Sequence, residues 1–473
     1  MEKLFRLSEN RTTVKTEVVA GLTTFMTMAY IIALNPNLLT NFDTGSPLWN
    51  GVFMATCISS AIGCFAMAFL ANKPFALAPG MGLNSFFAVV VGNVAALTGM
   101  DYVTSFQSAI VIILMEGIIF IILSLFNIRD KIVESIPLGI RLGISPAIGL
   151  MLLNIGLGSN AGIYSETGGP FYVMRDFFGS LTPSVAKTNM GSGYTAMVLT
   201  VITMFVGLFV IIALDKKGVR ASVLLGMLAA AIVYWAGEFL VMGVNPFESL
   251  STASFVPPVQ DMLDTTFFKF NFSGFLEMGW FTAVTLIITF CIIDMFDTIG
   301  TLVGTASRAG MLDEKGNMPK MKEALLSDAV GTVAGALTGT STVTTFVESS
   351  AGVAEGGKTG LASMSTAFFF FVAMFLAPVA QLIPTYACAA ALIYVGVLMM
   401  SNVRNIDWND PAVAVPAFLT ISFMPLTYNI SYGIAFGLIA YVLIKLFSGK
   451  VKEVNVATWV ITLLFAVMFF VSR

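Results

Sequence analysis

Three acidic residues lie in stretches of the chain whose other residues are mostly apolar or small. Asp294 and Asp297 occur in T-F-C-I-I-D-M-F-D-T-I-G-T, and Glu348 occurs in T-S-T-V-T-T-F-V-E-S-S-A-G-V-A-E-G-G, residues 340–357. A charged side chain at the centre of a membrane helix costs about 2.5–3.5 kcal/mol on insertion scales, so such residues usually face a cavity and carry function. These carboxylates are therefore the first candidates for ligand binding and for proton chemistry.

The surroundings of Glu348 suit a flat, nitrogen-rich ligand. Its two oxygens can accept bonds from adjacent N–H groups, the ring of Phe346 offers an aromatic face, and Ser349 adds a small hydrogen-bonding group. A structural alternative is that Glu348 caps the N-terminus of a half-helix, where the helix dipole stabilises negative charge. The cost of a carboxylate at membrane depth favours the binding role.

Asp294 and Asp297 are three residues apart and therefore lie on one face of a helix. Two close carboxylates need not both ionise, so one of them can hold a proton near neutral pH. The pair is a candidate for ligand contact and proton coupling. The alternative is a hydrogen-bonded structural pair that ties its helix to the neighbouring helices.

Other polar residues in apolar surroundings give weaker signals. Asn84 ends a glycine-rich interruption of an apolar stretch, A-L-A-P-G-M-G-L-N. Its side chain can either form hydrogen bonds with the edge of a ligand or bond the backbone groups that lose their helical partners there. Glu116 lies in the middle of an apolar stretch, where it is a packing or proton site that nothing nearby in the sequence corroborates. Asp328 lies near the end of a stretch, where it can cap a helix or bridge two helices.

The composition identifies the class of protein. The chain has 473 residues, of which 57% are hydrophobic and 11% charged, against about 25% charged in soluble domains. It is therefore a multi-pass membrane protein. It contains no histidine and no block of basic residues, so we expect no His-ligated metal, no cofactor and no nucleic-acid partner. The sequence carries no Walker, H-E-x-x-H or G-x-S-x-G motif, which disfavours an ATP-driven pump or an enzyme.

Apolar stretches of roughly 17–25 residues mark membrane helices. We assign a first series of spans near 18–38, 51–70, 76–97, 105–127, 137–158, 194–214 and 220–242. We assign a second series near 277–304, 324–339, 342–357, 361–383, 384–400, 411–427 and 429–447. Two series of about seven helices, an odd number each, must insert in opposite orientations, which is typical of inverted repeats. The repeats are expected at 1–242 and 277–447.

Charge in the loops predicts the orientation. If the N-terminus is cytoplasmic, most Lys and Arg residues fall on the cytoplasmic side, and the opposite loops carry chiefly Arg175, Lys187 and Lys269. A further apolar stretch, 455–471, follows the last span. We expect it to form a helix along the cytoplasmic face, and an additional membrane span is the alternative.

The third and tenth spans are interrupted at corresponding places. Residues 76–87 contain the Pro-Gly break, and 340–357 contain Glu348 among small residues. Backbone N–H and C=O groups that lose their helical hydrogen bonds in mid-membrane must bond to neighbouring protein or face a water-filled cavity. Short strands that lead into half-helices would do so, and they would direct helix N-termini at a ligand near the membrane midplane.

Four stretches together resemble the AzgA-like purine permeases, a branch of the nucleobase–cation symporters related in fold to the uracil and xanthine permeases. They are E-V-V-A-G-L-T-T-F-M-T-M-A-Y at 17–30, A-N-K-P-F-A-L-A-P-G-M-G-L-N-S-F-F at 71–87, D-M-F-D-T-I-G-T at 294–301, and G-T-S-T-V-T-T-F-V-E-S-S-A-G-V-A-E-G-G-K-T-G-L at 339–361. The resemblance implies an all-α uracil-permease-like fold of about 14 helices in two inverted repeats. It also implies a core domain from 18–127 and 277–383, and a gate domain from 137–242 and 384–447.

The resemblance assigns roles by motif. Glu348, Asp294 and Asn84 would contact the base, and Phe346 matches an aromatic position of the uracil carriers. Ser349, Ser85 and Thr27 complete the expected binding set, and Asp297 with Glu348 would couple to protons. The uracil carriers have a histidine on the eighth helix that this chain lacks, so a coupling scheme that relies on it does not apply.

The expected function is import of purine bases across the cytoplasmic membrane by proton symport with alternating access. Guanine and hypoxanthine are favoured over adenine because they present an N1–H that an ionised carboxylate accepts. Sodium coupling and a homodimer are left open, and membrane lipid is the other expected partner. The alternative functions are an inorganic-anion transporter and a channel of the same architecture. Acidic residues at the centre disfavour the anion carrier.

Overall fold

The computed structural model describes residues 2–126, 136–157, 194–251, 253–308, 310–312, 318–427 and 429–471. The loop residues Arg175 and Lys187 and the last residue of the predicted span 137–158 lie outside the described residues. Within the described ranges the chain is mostly helical, and its one sheet has two short strands.

The elements follow one another in this order. The first half of the chain forms α1 (Glu2–Phe5), α2 (Val14–Met28), α3 (Ile31–Leu39), α4 (Pro47–Ala66), β1 (Leu77–Pro79), α5 (Met81–Thr98), α6 (Tyr102–Leu125), α7 (Leu138–Ile155), α8 (Tyr194–Lys216) and α9 (Ser222–Gly237). The second half forms α10 (Val259–Thr265), α11 (Phe272–Glu277), α12 (Trp280–Arg308), α13 (Met321–Thr338), β2 (Val343–Thr345), α14 (Ser349–Ala354), α15 (Gly360–Ala373), α16 (Ala377–Gln381), α17 (Thr385–Met399), α18 (Pro411–Thr427), α19 (Ile430–Phe447) and α20 (Val456–Val471). Short π or 3₁₀ turns lie at Met67–Ala71, Glu238–Met242, Glu248–Ser251, Met374–Leu376, Met400–Asn405 and Val451–Glu453.

Contacts divide the chain into two compact units. The first contains Met1–Pro137, Val256–Ala377 and Val442–Arg473, and the second contains Leu138–Phe255 and Pro378–Tyr441. Both strands and all the candidate binding residues belong to the first unit, which we call the strand unit. In the second unit, helices α8 and α17 enclose an apolar cluster that includes Met204, Ala389 and Ile393.

Eleven helical segments among the described residues are long and apolar enough to cross a membrane, which makes the chain a multi-pass membrane protein. They are Val14–Leu39, Pro47–Ala71, Met81–Thr98, Tyr102–Leu125, Leu138–Ile155, Val198–Lys216, Ser222–Met242, Trp280–Ala306, Gly360–Gln381, Thr385–Asn405 and Ile430–Phe447. Helix α18 is apolar but shorter, and 342–357 forms a strand and a six-residue helix instead of one continuous helix. The count of about 14 spans therefore stays a prediction.

The predicted short strands are present, and they pair with each other. Strand β1 runs antiparallel to β2, with Leu77 opposite Thr345 and Pro79 opposite Val343. One more backbone bond extends the pairing at each end, from Gly80 N–H to Thr342 O at 3.0 Å and from Phe346 N–H to Ala76 O at 2.9 Å. The backbone groups released by the two interrupted helices thus satisfy one another, as an apolar surrounding requires.

Glycine at position 80 allows this close pairing. A Cβ atom there would lie 2.7 Å from Oγ1 of Thr344, which is closer than real Cβ contacts come. The strand pair therefore depends on a residue without a side chain where β1 ends and α5 begins.

Side-chain caps set where several helices begin. The Ser46 hydroxyl accepts a bond from Trp49 N–H at 3.1 Å, and Pro47 occupies the first position of α4. The Asp101 carboxylate accepts from Thr104 N–H at 3.1 Å and begins α6. Hydrogen bonds from Thr104 hold the pKa of the exposed Asp101 carboxyl below its usual value. These caps fix where α4 and α6 start relative to the strands.

A buried carboxylate joins the start of α2 to the segment that follows α14. Glu17 is fully buried, and its two oxygens accept bonds from the backbone N–H groups of Lys358 at 3.0 Å and Thr359 at 3.2 Å. The Asn72 side chain accepts from Gly360 N–H at 2.8 Å beside it. The N-terminal turn of α15 is therefore fixed by two separate parts of the chain.

The C-terminal helix α20 is 16 residues long and contacts α12 within the strand unit. The expectation that 455–471 is helical agrees with this element. Its placement along the cytoplasmic face of a membrane stays a prediction.

Candidate functional site

The strand pair ends in two helix starts within the strand unit. Helix α5 begins directly after β1, with Gly80 as its N-cap, and α14 begins shortly after β2, with Glu348 as its N-cap. Pro79 and Gly80 end the first strand, and the run of small residues after Glu348 allows α14 to pack closely on α2. At Gly352 of α14, a Cβ atom would overlap Thr24 of α2. The candidate site is built around these two breaks.

Glu348 is held by a tyrosine. The Tyr30 hydroxyl, at the junction of α2 and α3, donates to Glu348 Oε1 at 2.7 Å. Tyr30 is 1% exposed, whereas Glu348 is part-buried. The Glu348 side chain makes no capping bond to α14, so the structure does not support the helix-capping alternative. One oxygen is oriented by Tyr30, and the carboxylate as a whole keeps access to its surroundings.

The two aspartates of α12 have different neighbours. Asp297 is part-buried on α12, which contacts α14, the helix that begins after Glu348. Asp294 is fully buried, and its Oδ1 lies 3.0 Å from the Thr298 hydroxyl. The same hydroxyl lies 3.0 Å from Oδ1 of Asp328 on α13. The structure therefore places Asp294 in a contact between α12 and α13, and Asp297 on the helix that contacts α14.

Asn84 is fully buried at the start of α5, and its amide serves the strand pair. Its Nδ2 donates to Pro79 O at 3.1 Å, and the Ser341 hydroxyl donates to its Oδ1. These contacts correspond to the structural alternative, in which Asn84 satisfies broken backbone. They join the end of β1 to the residues that lead into β2.

The smaller predicted residues also bond within the fold. Ser349 Oγ accepts from Ala76 N–H at 2.9 Å, Ser85 Oγ donates to Met81 O at 2.8 Å, and Thr27 Oγ1 donates to Thr24 O at 2.7 Å. Phe346 is 6% exposed and lies two residues before Glu348. The structure thus brings Tyr30 to Glu348 and places Asp297 on a helix that contacts α14. It occupies the other polar candidates with internal hydrogen bonds.

Sequence reasoning missed two residues of this arrangement, Tyr30 and Thr298. Tyr30 is the last residue of the stretch 17–30 that carried part of the resemblance, so its place in a motif was a signal that pointed to it. Thr298 directly follows D-M-F-D, but no spacing rule links it to Asp328. The expectation that Asp328 bridges two helices agrees with its contact to Thr298.

The arrangement can bind a ligand through N–H donors and can store a proton. An ionised Glu348 offers acceptor oxygens to adjacent N–H groups. The carboxyl groups of Glu348 and Asp297 can each also bind and release a proton. Within the described residues, no three side chains of the types that ligate metals come close enough together to hold one ion.

Comparisons with known proteins give one family and one fold. Residues 15–436 match the family Xan_ur_permease, described as Permease family. The chain is 36% identical to the guanine/hypoxanthine permease PbuO of Bacillus subtilis over 99% of both proteins. It is 35% identical to the adenine permease AdeP of Escherichia coli over 98% of this chain and 95% of that protein.

The structure is similar to the transmembrane domain of the cyanobacterial bicarbonate transporter BicA. The TM-score is 0.61 at 15% identity, and the likeness covers 90% of this chain and 97% of that chain. At this identity the likeness concerns the fold alone. Together with the family match it confirms the predicted fold class, an all-α multi-pass membrane protein of the uracil-permease-like type.

Proposed function

The chain belongs to the Xan_ur_permease family, and we propose that it imports purine nucleobases across the cytoplasmic membrane by proton symport. Relatives similar over nearly the whole chain are named as guanine/hypoxanthine and adenine permeases. The family and these relatives also confirm that the chain is a transporter and not an enzyme. The proposal extends the relatives' substrates to this chain and adds the coupling ion.

The bond from Tyr30 to Glu348 carries the proposal for the substrate. A hydroxyl that donates to one carboxylate oxygen favours the ionised acid and leaves acceptor capacity on the carboxylate. Guanine presents N1–H and an exocyclic N–H side by side, and hypoxanthine presents N1–H. Adenine has a bare N1 that would need a protonated acid. We therefore favour guanine and hypoxanthine, with adenine as the alternative.

Of the remaining candidate residues, one would contact the base and the others would hold the surrounding elements in place. Phe346 would face the flat ring of the base, because it precedes Glu348 by two residues in the same break. Asn84 and Asp294 would act by fixing the strand pair and α12, since their hydrogen bonds run to other parts of the fold. Ser349, Ser85 and Thr27 would support the same elements through the bonds described above.

Proton coupling is proposed for Glu348 and Asp297. A proton taken up by either carboxylate changes the charge that the base meets. Release of the base and of the proton on the same side of the membrane would then be linked. Alternating access is the expected mode, since transporters with inverted repeats and interrupted helices expose a central site to each side in turn. Sodium remains the alternative ion, because carboxylates also suit Na⁺.

One experiment tests substrate and ion together. The purified protein is placed in lipid vesicles, and uptake of labelled guanine, hypoxanthine and adenine is measured with pH and sodium gradients imposed separately. We expect saturable uptake of guanine and hypoxanthine driven by the pH gradient. Uptake driven only by sodium would change the assigned ion. Competition by sulfate but not by guanine would indicate an anion carrier, and ion conductance without saturable uptake would indicate a channel.

A further inference from the structure

Another buried carboxylate of the strand unit, Glu116, contacts the residues that lead into β2. Glu116 lies in the middle of α6 and is fully buried. The Thr342 hydroxyl donates to its Oε2 at 2.6 Å. A carboxylate at this depth is costly to keep, and this one contacts the residues that lead into β2 instead of the residues that surround Glu348.

Thr342 connects Glu116 to the start of α5. Its carbonyl oxygen accepts from Gly80 N–H at 3.0 Å, and Gly80 O in turn accepts from Asn84 N–H at 2.8 Å. The adjacent Ser341 donates its hydroxyl to the Asn84 side chain. A displacement of Thr342 would therefore move the N-terminus of α5 and the amide of Asn84.

Val343, which follows Thr342 and begins β2, is held by a side chain of helix α13. Oγ1 of Thr332 on α13 lies 3.2 Å from Val343 O and 3.3 Å from Val343 N, so this hydroxyl binds the backbone of β2. Helices α6 and α13 approach closely at this level, because a Cβ atom on Gly117 would lie 2.7 Å from Cγ2 of Val333. Glu116 and Thr332 thus hold two successive residues, Thr342 just before β2 and Val343 at its start, from two packed helices.

We propose that Glu116 is a positioning residue for base binding, which it serves through Thr342 and the strand pair. Its acceptor oxygen keeps β2 in register with β1, and this register places both Asn84 and Glu348 at their helix starts. The negative charge itself is not required, since a neutral amide oxygen can accept the same hydroxyl bond. This inference rests on the proposed function, because its effect is measured on transport of the base.

The test compares KM and Vmax of labelled hypoxanthine uptake in vesicles with equal amounts of folded protein. Glu116→Ala should raise KM roughly tenfold, because the strand loses a hydrogen bond to a buried charged group. Glu116→Gln should restore KM to within about threefold of the wild type, since its amide oxygen accepts from Thr342. A merely structural role would reduce the amount of folded protein and leave KM unchanged.

Variants at Thr342 test the bond from its other end. Thr342→Val should raise KM in the same way, Thr342→Ser should restore it, and Glu116→Ala combined with Thr342→Val should be no worse than either change alone. Thr338→Val is the matched control, because its hydroxyl donates to Ala334 O within α13. These variants also decide the question if Glu116→Ala does not fold.

Three results would overturn the inference: an unchanged KM in Thr342→Val, a Glu116→Gln variant as defective as Glu116→Ala, or additive effects in the double variant. The wild-type protein separates this inference from the proposed function. Absence of purine uptake by the wild type counts against the proposed function. Normal wild-type uptake with a normal KM in Thr342→Val counts against the role of Glu116 alone.

Discussion

The Tyr30 hydroxyl donates to Glu348 Oε1 at 2.7 Å although the two residues are 318 positions apart. The bond joins the junction of α2 and α3 to the break between β2 and α14. It lies inside the strand unit and fixes one oxygen of the carboxylate that we propose as the base-binding group. The geometry of Glu348 is thus set by a residue from the opposite half of the chain.

Replacing Tyr30 with Phe should weaken base binding without unfolding the protein. The ring remains in its buried position, but Glu348 loses a hydrogen bond that is worth about 1.5–3 kcal/mol to a charged group. We expect KM for hypoxanthine to rise by roughly tenfold or more. Tyr102→Phe is the matched control, because it removes a tyrosine hydroxyl that donates to Leu39 O at 2.9 Å. Equal KM values for the two variants would contradict the role of Tyr30.

Replacing Glu348 with Gln should abolish uptake while the protein still inserts and folds. The amide directs N–H donors where the base also presents N–H, and the charge is lost, so we expect uptake to fall by about 100-fold or more. Glu355→Gln is the control, since Glu355 lies just after α14 and is exposed. Uptake of labelled hypoxanthine by equal amounts of each variant is the measurement, and normal uptake by Glu348→Gln would refute the assignment.

The variant Asp297→Asn should still transport the base, but its transport should no longer be coupled to protons. Asparagine cannot take up the proton, so accumulation driven by a pH gradient should be lost. Exchange of labelled for unlabelled base at equal pH should continue, because Glu348 is intact. Asp294→Ala gives the contrast: Asp294 is buried and its Oδ1 lies 3.0 Å from the Thr298 hydroxyl, so removing this acceptor should lower the melting temperature and keep the response to pH. Retained proton-driven accumulation in Asp297→Asn would exclude Asp297 from coupling.

The sequence predicted the interrupted elements better than the contacts among them. The Pro-Gly break at 79–80 and the small residues around Glu348 predict two short strands, because such residues disfavour continuous helix, and β1 and β2 lie there. The sequence also predicts the long apolar helices, eleven of which, among the described residues, are long and apolar enough to cross a membrane. What it could not supply is a partner such as Tyr30, because nothing local relates residues so far apart in the chain.

The spacing of the acidic residues in the sequence also did not show which partner each carboxylate contacts. Residues three apart share a helix face but differ by about 60° around the axis, so spacing alone did not show that it is Asp294 that shares the Thr298 hydroxyl with Asp328. Glu116 had no corroborating neighbour in the sequence, because its partner Thr342 is 226 positions away, just before β2. Packing of α6, α12 and α13 around the strands decides these pairings.

Replacing Glu17 with Ala should destabilise the strand unit. The change leaves the N–H groups of Lys358 and Thr359 without the acceptors that they have at 3.0 and 3.2 Å. For the fully buried Thr359, an unsatisfied group costs about 1–3 kcal/mol. We expect a clear fall in the melting temperature of the detergent-solubilised protein, with KM of the surviving fraction unchanged. Glu9→Ala is the control, because Glu9 forms an exposed ion pair with Arg6. An unchanged melting temperature in Glu17→Ala would refute the role of this carboxylate.

Replacing Gly80 with Ala should disrupt base transport, and a second change should restore it. A Cβ atom at position 80 would lie 2.7 Å from Oγ1 and 3.2 Å from Cγ2 of Thr344, but 3.5 Å from its Cβ, which is ordinary contact. Gly80→Ala alone should therefore push β1 from β2, reduce hypoxanthine uptake and lower the melting temperature. Thr344→Ala removes the two crowding atoms, so the double variant should recover most of the uptake that Gly80→Ala loses. Thr345→Ala is the matched control for the second change. Equal rescue by both threonine variants would show that steric contact with Thr344 is not the reason for glycine at this position.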